Sequence, residues 1–373
     1  MPRRPLLGTE GTSASHERHH MIDRRSFNKA LGLGAGAAAA SLTGLQGVAD
    51  AAPLPGRPGK APVVPTVAPG THTTFPPLKQ IEAGLLNVGY AELGPARGPV
   101  VLCLHGWPYD IHSFVDVAPL LAGLGYRVIV PYLRGHGTTG FLSPRTFRNG
   151  QQSAIALDII ALMDALRIDK AVVAGFDWGS RTGDILAALW PDRVKALVSV
   201  SGYLITNRAA QLEPIAPAGE HTWWYQYYFA TERGEKAMQT KNLRHDLTRL
   251  VWQLVSPTWS FDDATFERTE AAFENPDYAA IVIHNYRWRL SVAEGERRYD
   301  RYEDRLARKP TIGVPTITLD PALDPFTAPG DGSTYRAMFT GPYEHRTLAG
   351  IGHNLPQEAP TAFAQAVVDV DHF

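Results

Sequence analysis

The chain has 373 residues, of which 44% are hydrophobic and 20% are charged, so it can bury a full core and is not disordered as a whole. Lys and Arg number 36 against 37 Asp and Glu, and this balance argues against a chain that binds nucleic acid across its surface. The single cysteine, Cys103, excludes an intramolecular disulfide framework and a thiolate metal cluster. Length and composition therefore predict two domains or one large α/β unit with an insertion.

The N-terminus carries the parts of an export signal in their usual order. Arg24 and Arg25 are followed by Phe27, by a weakly apolar run over 30–48 and by a small-x-small triplet at 49–51. This arrangement resembles a twin-arginine export signal, which the export machinery reads through the arginine pair. A disordered basic tail is the alternative interpretation.

The resemblance implies that residues 1–51 are removed and that the protein is exported to the periplasm or the outside. Met21 precedes the arginine pair and is a second candidate start. Residues 52–77 are rich in Pro and Gly, so we predict a linker that needs no fixed structure. The folded protein is expected to begin near Leu78.

Short apolar runs alternate with amphipathic stretches in the first part of the predicted core, residues 78–203. Strands separated by helices at this spacing predict parallel pairing with right-handed crossovers. The predicted strands are 100–104, 127–130, 171–175 and 194–200, and the predicted helices are 114–124, 153–166 and 179–189.

The alternation stops after Tyr203. Residues 204–308 show helical patterns, whereas residues 309–373 return to strands and end in a helix over 360–370. We therefore predict a mostly parallel central sheet flanked by helices, with an inserted helical lid over 204–308. No dinucleotide glycine fingerprint or phosphate-binding loop occurs in the sequence, so we predict no cofactor.

The most informative motif is Gly175-Phe176-Asp177-Trp178-Gly179, which joins a predicted strand to a predicted helix. Small residues on both sides of one functional side chain allow a sharp turn that exposes it, as in a nucleophile elbow. A carboxylate is already nucleophilic at neutral pH, and the helix N-terminus favours its charge. Asp177 is therefore a candidate nucleophile, although an N-cap aspartate without chemistry fits the motif alone.

Two backbone N–H groups are candidates for an oxyanion hole. The motif His105-Gly106-Trp107-Pro108 follows a predicted strand, so the N–H of Trp107 can point at the same cavity as the N–H of Trp178. Two donors that converge on one point would stabilise an oxyanion there.

Two further side chains follow the late strands. Asp324 follows the strand that ends at Leu319, and His353 follows the last strand. Because ligands bind beyond the carboxyl ends of parallel strands, the order Asp177, Asp324, His353 indicates a nucleophile, an orienting acid and a base. Asp320 is the rival for the orienting acid.

Together these motifs resemble the α/β-hydrolase fold family over residues 78–373. Asp at the elbow is similar to the aspartate-nucleophile branch, which holds epoxide hydrolases and haloalkane dehalogenases. The resemblance implies a covalent ester on Asp177 that is hydrolysed by water, with His353 activating the water and Asp324 orienting the imidazole. It also implies a small hydrophobic substrate, no metal, no nucleic-acid partner and no cofactor.

Two lid tyrosines bear on the chemistry. Tyr225, in Tyr225-Gln226-Tyr227-Tyr228-Phe229, and Tyr286, in His284-Asn285-Tyr286-Arg287, are similar to the lid tyrosines of epoxide hydrolases. The similarity implies that both protonate the ring oxygen while the epoxide opens to a vicinal diol. Tyr227 and Tyr228 remain alternatives for the first of the pair.

Three alternatives stay open. In a haloalkane dehalogenase, Trp178 and a lid tryptophan, Trp223 or Trp224, would hold the halide. A haloacid dehalogenase would need two arginines near the nucleophile, and the sequence shows Arg181 with no adjacent second arginine. A non-catalytic ligand-binding protein could also use this fold.

The export signal leads to a direct prediction. Changing Arg24 and Arg25 together to Lys should leave unprocessed protein in the cytoplasm, because the export route reads that pair. Immunoblots of cytoplasmic and exported fractions measure the effect. The matched control changes the upstream pair Arg3 and Arg4 to Lys and should be exported normally. Unchanged export of the first variant would contradict the signal.

Overall fold

The computed structural model describes residues 61–326 and 330–373. The predicted export signal over 1–51 and the first part of the predicted linker, 52–60, lie outside the described residues.

One sheet contains all nine strands of the described residues, in the order β1-β2-β4-β3-β6-β7-β8-β9 with β5 beside β2. Strand β2 pairs antiparallel with β1, β4 and β5. The remaining neighbours in the sheet, β4-β3-β6-β7-β8-β9, are all parallel. The predicted mostly parallel sheet is therefore confirmed. The strands are β1 Lys79–Ala83, β2 Leu86–Leu93, β3 Val100–Leu104, β4 Arg127–Pro131, β5 Gly140–Phe141, β6 Ala171–Gly175, β7 Val194–Val200, β8 Thr316–Pro321 and β9 Tyr343–Leu348.

Helices flank this sheet because the central strands are apolar on both faces, as parallel strands covered by helices are. Four of them pack on the sheet in two pairs, α1 with α12 and α2 with α3. In residues 61–326 and 330–373, no helix is both long and apolar enough to cross a membrane. These helices are α1 Val117–Gly123, α2 Gln152–Ala165, α3 Trp178–Leu189, and, after the lid, α11 Leu355–Glu358 and α12 Pro360–Asp371.

The segment between β7 and β8 is helical, as the sequence predicts. It lies against loops at the carboxyl ends of the strands: the Trp252 indole N–H donates to the Pro108 carbonyl at 2.8 Å, and Val255 accepts from the His353 N–H at 3.1 Å. The lid therefore covers the edge of the sheet at which a site is expected. Its helices are α4 Pro217–Thr222, α5 Trp224–Ala230, α6 Glu232–Gln239, α7 Lys241–Val255, α8 Asp263–Glu270, α9 Tyr278–Arg289 and α10 Asp300–Ala307.

The segment before β1 differs from the sequence-based expectation. Instead of an unstructured linker up to residue 77, the chain from residue 61 packs on the core, with Val64 buried. The N–H of Val64 donates to Gln365 at 2.8 Å, and the N–H of Gly70 donates to the buried carboxylate of Asp116 at 2.7 Å. These partners are distant in sequence, so no local periodicity reveals them.

Candidate active site

Asp177 lies in the sharp turn between β6 and α3. Its backbone has φ 52° and ψ −120°, a conformation that non-glycine residues rarely adopt and that is found mainly at functional sites. A Cβ at Gly179 would collide with the carbonyl oxygen of Leu104, so only glycine allows α3 to approach the end of β3 this closely. The turn therefore holds the Asp177 carboxylate at the carboxyl edge of the sheet.

One predicted oxyanion donor, the N–H of Trp107, lies beside this carboxylate. The backbone N–H of Trp107 donates to Asp177 Oδ1 at 2.8 Å, and a Cβ at Gly106 would occupy the place of the same carboxylate. Trp178 is the first residue of α3, so its N–H belongs to the first helical turn, whose amides have no acceptor within the helix. The Trp107 N–H thus contacts the carboxylate directly, and the Trp178 N–H is available to a ligand at the start of α3.

His353 and Asp324 form a buried pair next to the elbow. His353 Nδ1 lies 2.7 Å from Asp324 Oδ2, and His353 Nε2 lies 3.7 Å from Asp177 Oδ2, which is too far for a direct hydrogen bond. The pair forms because β8 and β9 are parallel neighbours and each residue follows the end of its strand. The structure therefore brings together the three residues predicted as nucleophile, acid and base.

The charges of Asp177, His353 and Asp324 stabilise one another. Burial disfavours the charged imidazolium of His353 and by itself would lower its pKa. The attraction of the Asp324 and Asp177 carboxylates is the larger effect and raises the pKa of His353 to about 10. Burial likewise disfavours the Asp177 carboxylate, yet His353, Arg181 and the Trp107 N–H hold its pKa below the usual range. The free protein at neutral pH thus holds a carboxylate and an imidazolium side by side.

Asp320, the rival acid, lies elsewhere. It belongs to β8 itself and accepts a hydrogen bond from the Tyr335 hydroxyl at 2.8 Å, and its other oxygen lies 3.9 Å from His345 Nε2. The geometry therefore pairs His353 with Asp324.

The two predicted lid tyrosines lie together above Trp107. Tyr225 on α5 and Tyr286 on α9 have ring centroids 5.3 Å apart and lie 5.1 and 5.4 Å from the Trp107 ring. Burial raises the pKa of both phenols far above neutral pH, so both keep their protons. Tyr227, by contrast, is 45% exposed, with its hydroxyl on Glu220, and does not face the site.

A small cavity of about 40 Å³ joins these groups. Asp177, His353 and Tyr225 border it, and Trp223 and Phe326 border both this cavity and a larger outer pocket of about 300 Å³. In the described residues, no group of three or more His, Cys, Asp or Glu side chains could hold a metal ion. The cavity therefore lies against Asp177 and His353 and adjoins the outer pocket through the lining residues that the two share.

The cavity holds a second arginine besides Arg181, although the sequence shows no second arginine adjacent to it. Arg289, at the end of α9, borders the same cavity as Arg181, and both are buried, with 5% and 6% exposure. The second arginine comes from the lid and is therefore not adjacent in sequence. A signal existed in both cases, because Arg181 lies one helical turn beyond Asp177 and Arg289 one turn beyond Tyr286.

Comparison with known proteins agrees with this architecture. Residues 99–290 match the family described as alpha/beta hydrolase fold. A crystal structure from Klebsiella pneumoniae, described as a candidate epoxide hydrolase, is 57% identical, with a TM-score of 0.77, over 79% of this chain and 97% of that one.

Curated relatives are more distant. Epoxide hydrolase A of Mycobacterium tuberculosis is 25% identical over 79% of this chain and 97% of its own length. Epoxide hydrolase 2 of Siraitia grosvenorii is 36% identical over 36% of this chain and 39% of its own length. The chain thus spans less than half the length of the Siraitia relative. The family match and the Klebsiella neighbour nevertheless establish that the chain belongs to the alpha/beta hydrolase fold family.

Proposed function

We propose that the protein is an epoxide hydrolase that opens an epoxide to a vicinal diol through an ester on Asp177. The observation that carries this proposal is a single buried cavity bordered by Asp177, His353 and Tyr225, with Tyr286 packed against Tyr225. The relatives named as epoxide hydrolases add support.

In the first step, Asp177 attacks an epoxide carbon. Oδ1 is held by the Trp107 N–H, so Oδ2 is the oxygen free to form the new C–O bond while the ring C–O bond breaks. The ring oxygen takes a proton from one lid tyrosine and a hydrogen bond from the other. Because their pKa is raised, the phenols are protonated at neutral pH and can serve as this acid.

In the second step, water cleaves the ester. Ester formation removes the negative charge of Asp177, so the imidazolium of His353 keeps only the carboxylate of Asp324 and its pKa falls. Neutral His353 then takes a proton from water and passes it to the departing diol oxygen. The N–H groups of Trp107 and Trp178 stabilise the oxyanion. The proton that the imidazolium gave up restores the tyrosine, and the proton released as the Asp177 carboxylate re-forms restores the imidazolium of His353.

Halide displacement has one observation in its favour. The indole Nε1 of Trp178 is buried without a partner in the described residues, and Trp223 borders the cavity. The Trp178 ring, however, packs against His136 and Tyr286 at 6.1 and 6.0 Å, and it is Tyr225, a protonated phenol, and not Trp178 that borders the cavity. We therefore favour the epoxide chemistry.

The tyrosine pair provides the test of epoxide chemistry. Tyr225→Phe and Tyr286→Phe should each slow ester formation from an epoxide by about tenfold to a thousandfold, because each loses one donor to the ring oxygen. Single-turnover kinetics with styrene oxide measure this step. Tyr227→Phe, on the same helix as Tyr225 but exposed, is the control and should behave as wild type.

A paired assay with a haloalkane completes this test. Halide release that persists in both tyrosine variants and disappears in Trp178→Phe, with no epoxide turnover by the wild type, would contradict the proposal.

The charge relation between His353 and its carboxylates provides a second prediction. Asp324→Asn should lower the pKa of His353 by about one to three pH units, because the imidazolium loses an adjacent anion. Histidine titration by NMR of imidazole-labelled protein measures it. Asp320→Asn is the matched control, since Asp320 contacts Tyr335 instead. A larger decrease in Asp320→Asn than in Asp324→Asn would reverse the assignment of the orienting acid.

A further inference from the structure

Two buried guanidinium groups share the catalytic cavity without a carboxylate partner. Arg181 Nε donates to the Leu204 carbonyl at 3.2 Å, and Arg289 Nε has no partner in the described residues. The Arg289 guanidinium lies over the rings of Trp223 and Tyr286, at 5.5 and 5.6 Å from their centroids. Neither arginine forms an ion pair with a described acidic residue, although both border the cavity.

The other buried arginines are paired. Arg134 contacts Asp158 at 2.6 Å, and Arg244 contacts Glu274 at 2.7 Å. Burying a cation without a counter-charge is strongly unfavourable, so this pairing is the ordinary arrangement. Within the described chain, the two buried arginines without an ion pair are the two at the cavity.

The local charges leave an excess of positive charge. Burial and the neighbouring Arg289 lower the pKa of Arg181 to about 10, so it is still a cation at neutral pH. Burial raises the pKa of the nearby Asp184 to about 8, and this group is therefore mostly uncharged there. Asp177 is an anion, but it faces the imidazolium of His353. An anion that enters the cavity would relieve the repulsion between the arginines.

The position of Arg289 fits an incoming anion. It borders both the inner cavity and the outer pocket, so a negatively charged group meets it on the way to Asp177. Glu213 and Glu220 also border the outer pocket, but Glu213 is exposed, and Glu220 is half-buried and already accepts hydrogen bonds from the Ile215 N–H and the Tyr227 hydroxyl.

We propose that the substrate is an epoxide that bears a carboxylate next to the ring, and that Arg181 and Arg289 bind this carboxylate. This inference rests on the proposed function and refines the predicted small hydrophobic substrate. Guanidinium groups suit it because they present paired N–H donors to a carboxylate. The inner cavity of about 40 Å³ accommodates only the reacting end, so the apolar remainder would extend towards Trp223 and Phe326.

The binding test uses unreactive probes. Calorimetry compares 3-phenylpropanoate with its uncharged amide on the wild-type enzyme, which should bind the acid more tightly. Arg289→Gln and Arg181→Gln should each weaken binding of the acid by about thirtyfold or more and leave the amide unaffected, since each removes a buried charged partner. Arg289→Lys should restore part of the affinity. Arg297→Gln, an exposed arginine outside the cavity, is the control.

The turnover test uses 3-phenylglycidate and styrene oxide. The wild type should have the higher kcat/KM for the glycidate, and in both arginine variants kcat/KM should fall by a larger factor for the glycidate than for styrene oxide, so that this advantage is lost. Equal wild-type affinity for acid and amide, or arginine variants that bind the acid as the wild type does, would overturn the carboxylate site.

The two proposals fail in different ways. Turnover of styrene oxide without any preference for the glycidate removes the carboxylate site and leaves epoxide hydrolysis standing. Arginine-dependent binding of the acid, with no epoxide opened and halide released from a 2-halo acid, supports the carboxylate site and removes the epoxide function.

Discussion

The site depends on the close contact between the end of β3 and the start of α3. This contact holds Asp177 in a backbone conformation that costs about 1–3 kcal/mol, which the surrounding packing must offset. Gly179 makes the approach possible, and Gly106 leaves room for the carboxylate on the other side. As a result, the Trp107 N–H reaches Asp177, and Arg181 follows one helical turn later.

Charge then determines what the site can do. Asp324, His353 and Asp177 alternate in sign, so each charge stabilises its neighbour despite burial. Forming an ester at Asp177 would break this alternation and release His353 to act as a base only when an ester is present. The two arginines border the same cavity as Asp177 and His353 but have no ion-pair partner among the described residues, which is why we assign them to the substrate.

Local patterns in the sequence were sufficient to predict the central sheet and the sharp turn at Asp177. Buried strands such as β3 and β6 are continuous apolar runs, and their ends place Asp177, Asp324 and His353 at one edge. The choice between Asp320 and Asp324 required the exact end of β8, which apolar periodicity does not define. The roles of these residues, the domain boundaries and the export signal stay predictions.

Contacts between residues that are distant in sequence could not be predicted from such local patterns. The segment from residue 61 is held by side chains of α12 and by Asp116, and Arg289 meets Arg181 only after the lid folds over the sheet. Local spacing gives no indication of the first contact, and for the arginines it shows only that each lies one helical turn beyond a predicted site residue.

The covalent ester on Asp177 is the central claim, and isotope transfer tests it most directly. A single turnover, with enzyme in excess over epoxide, is carried out in water labelled with heavy oxygen. If Asp177 is the nucleophile, the diol takes its new oxygen from the carboxylate and is unlabelled, whereas mass spectrometry finds the label in the Asp177 peptide. Label in the diol and none in that peptide would show direct attack by water and contradict the account.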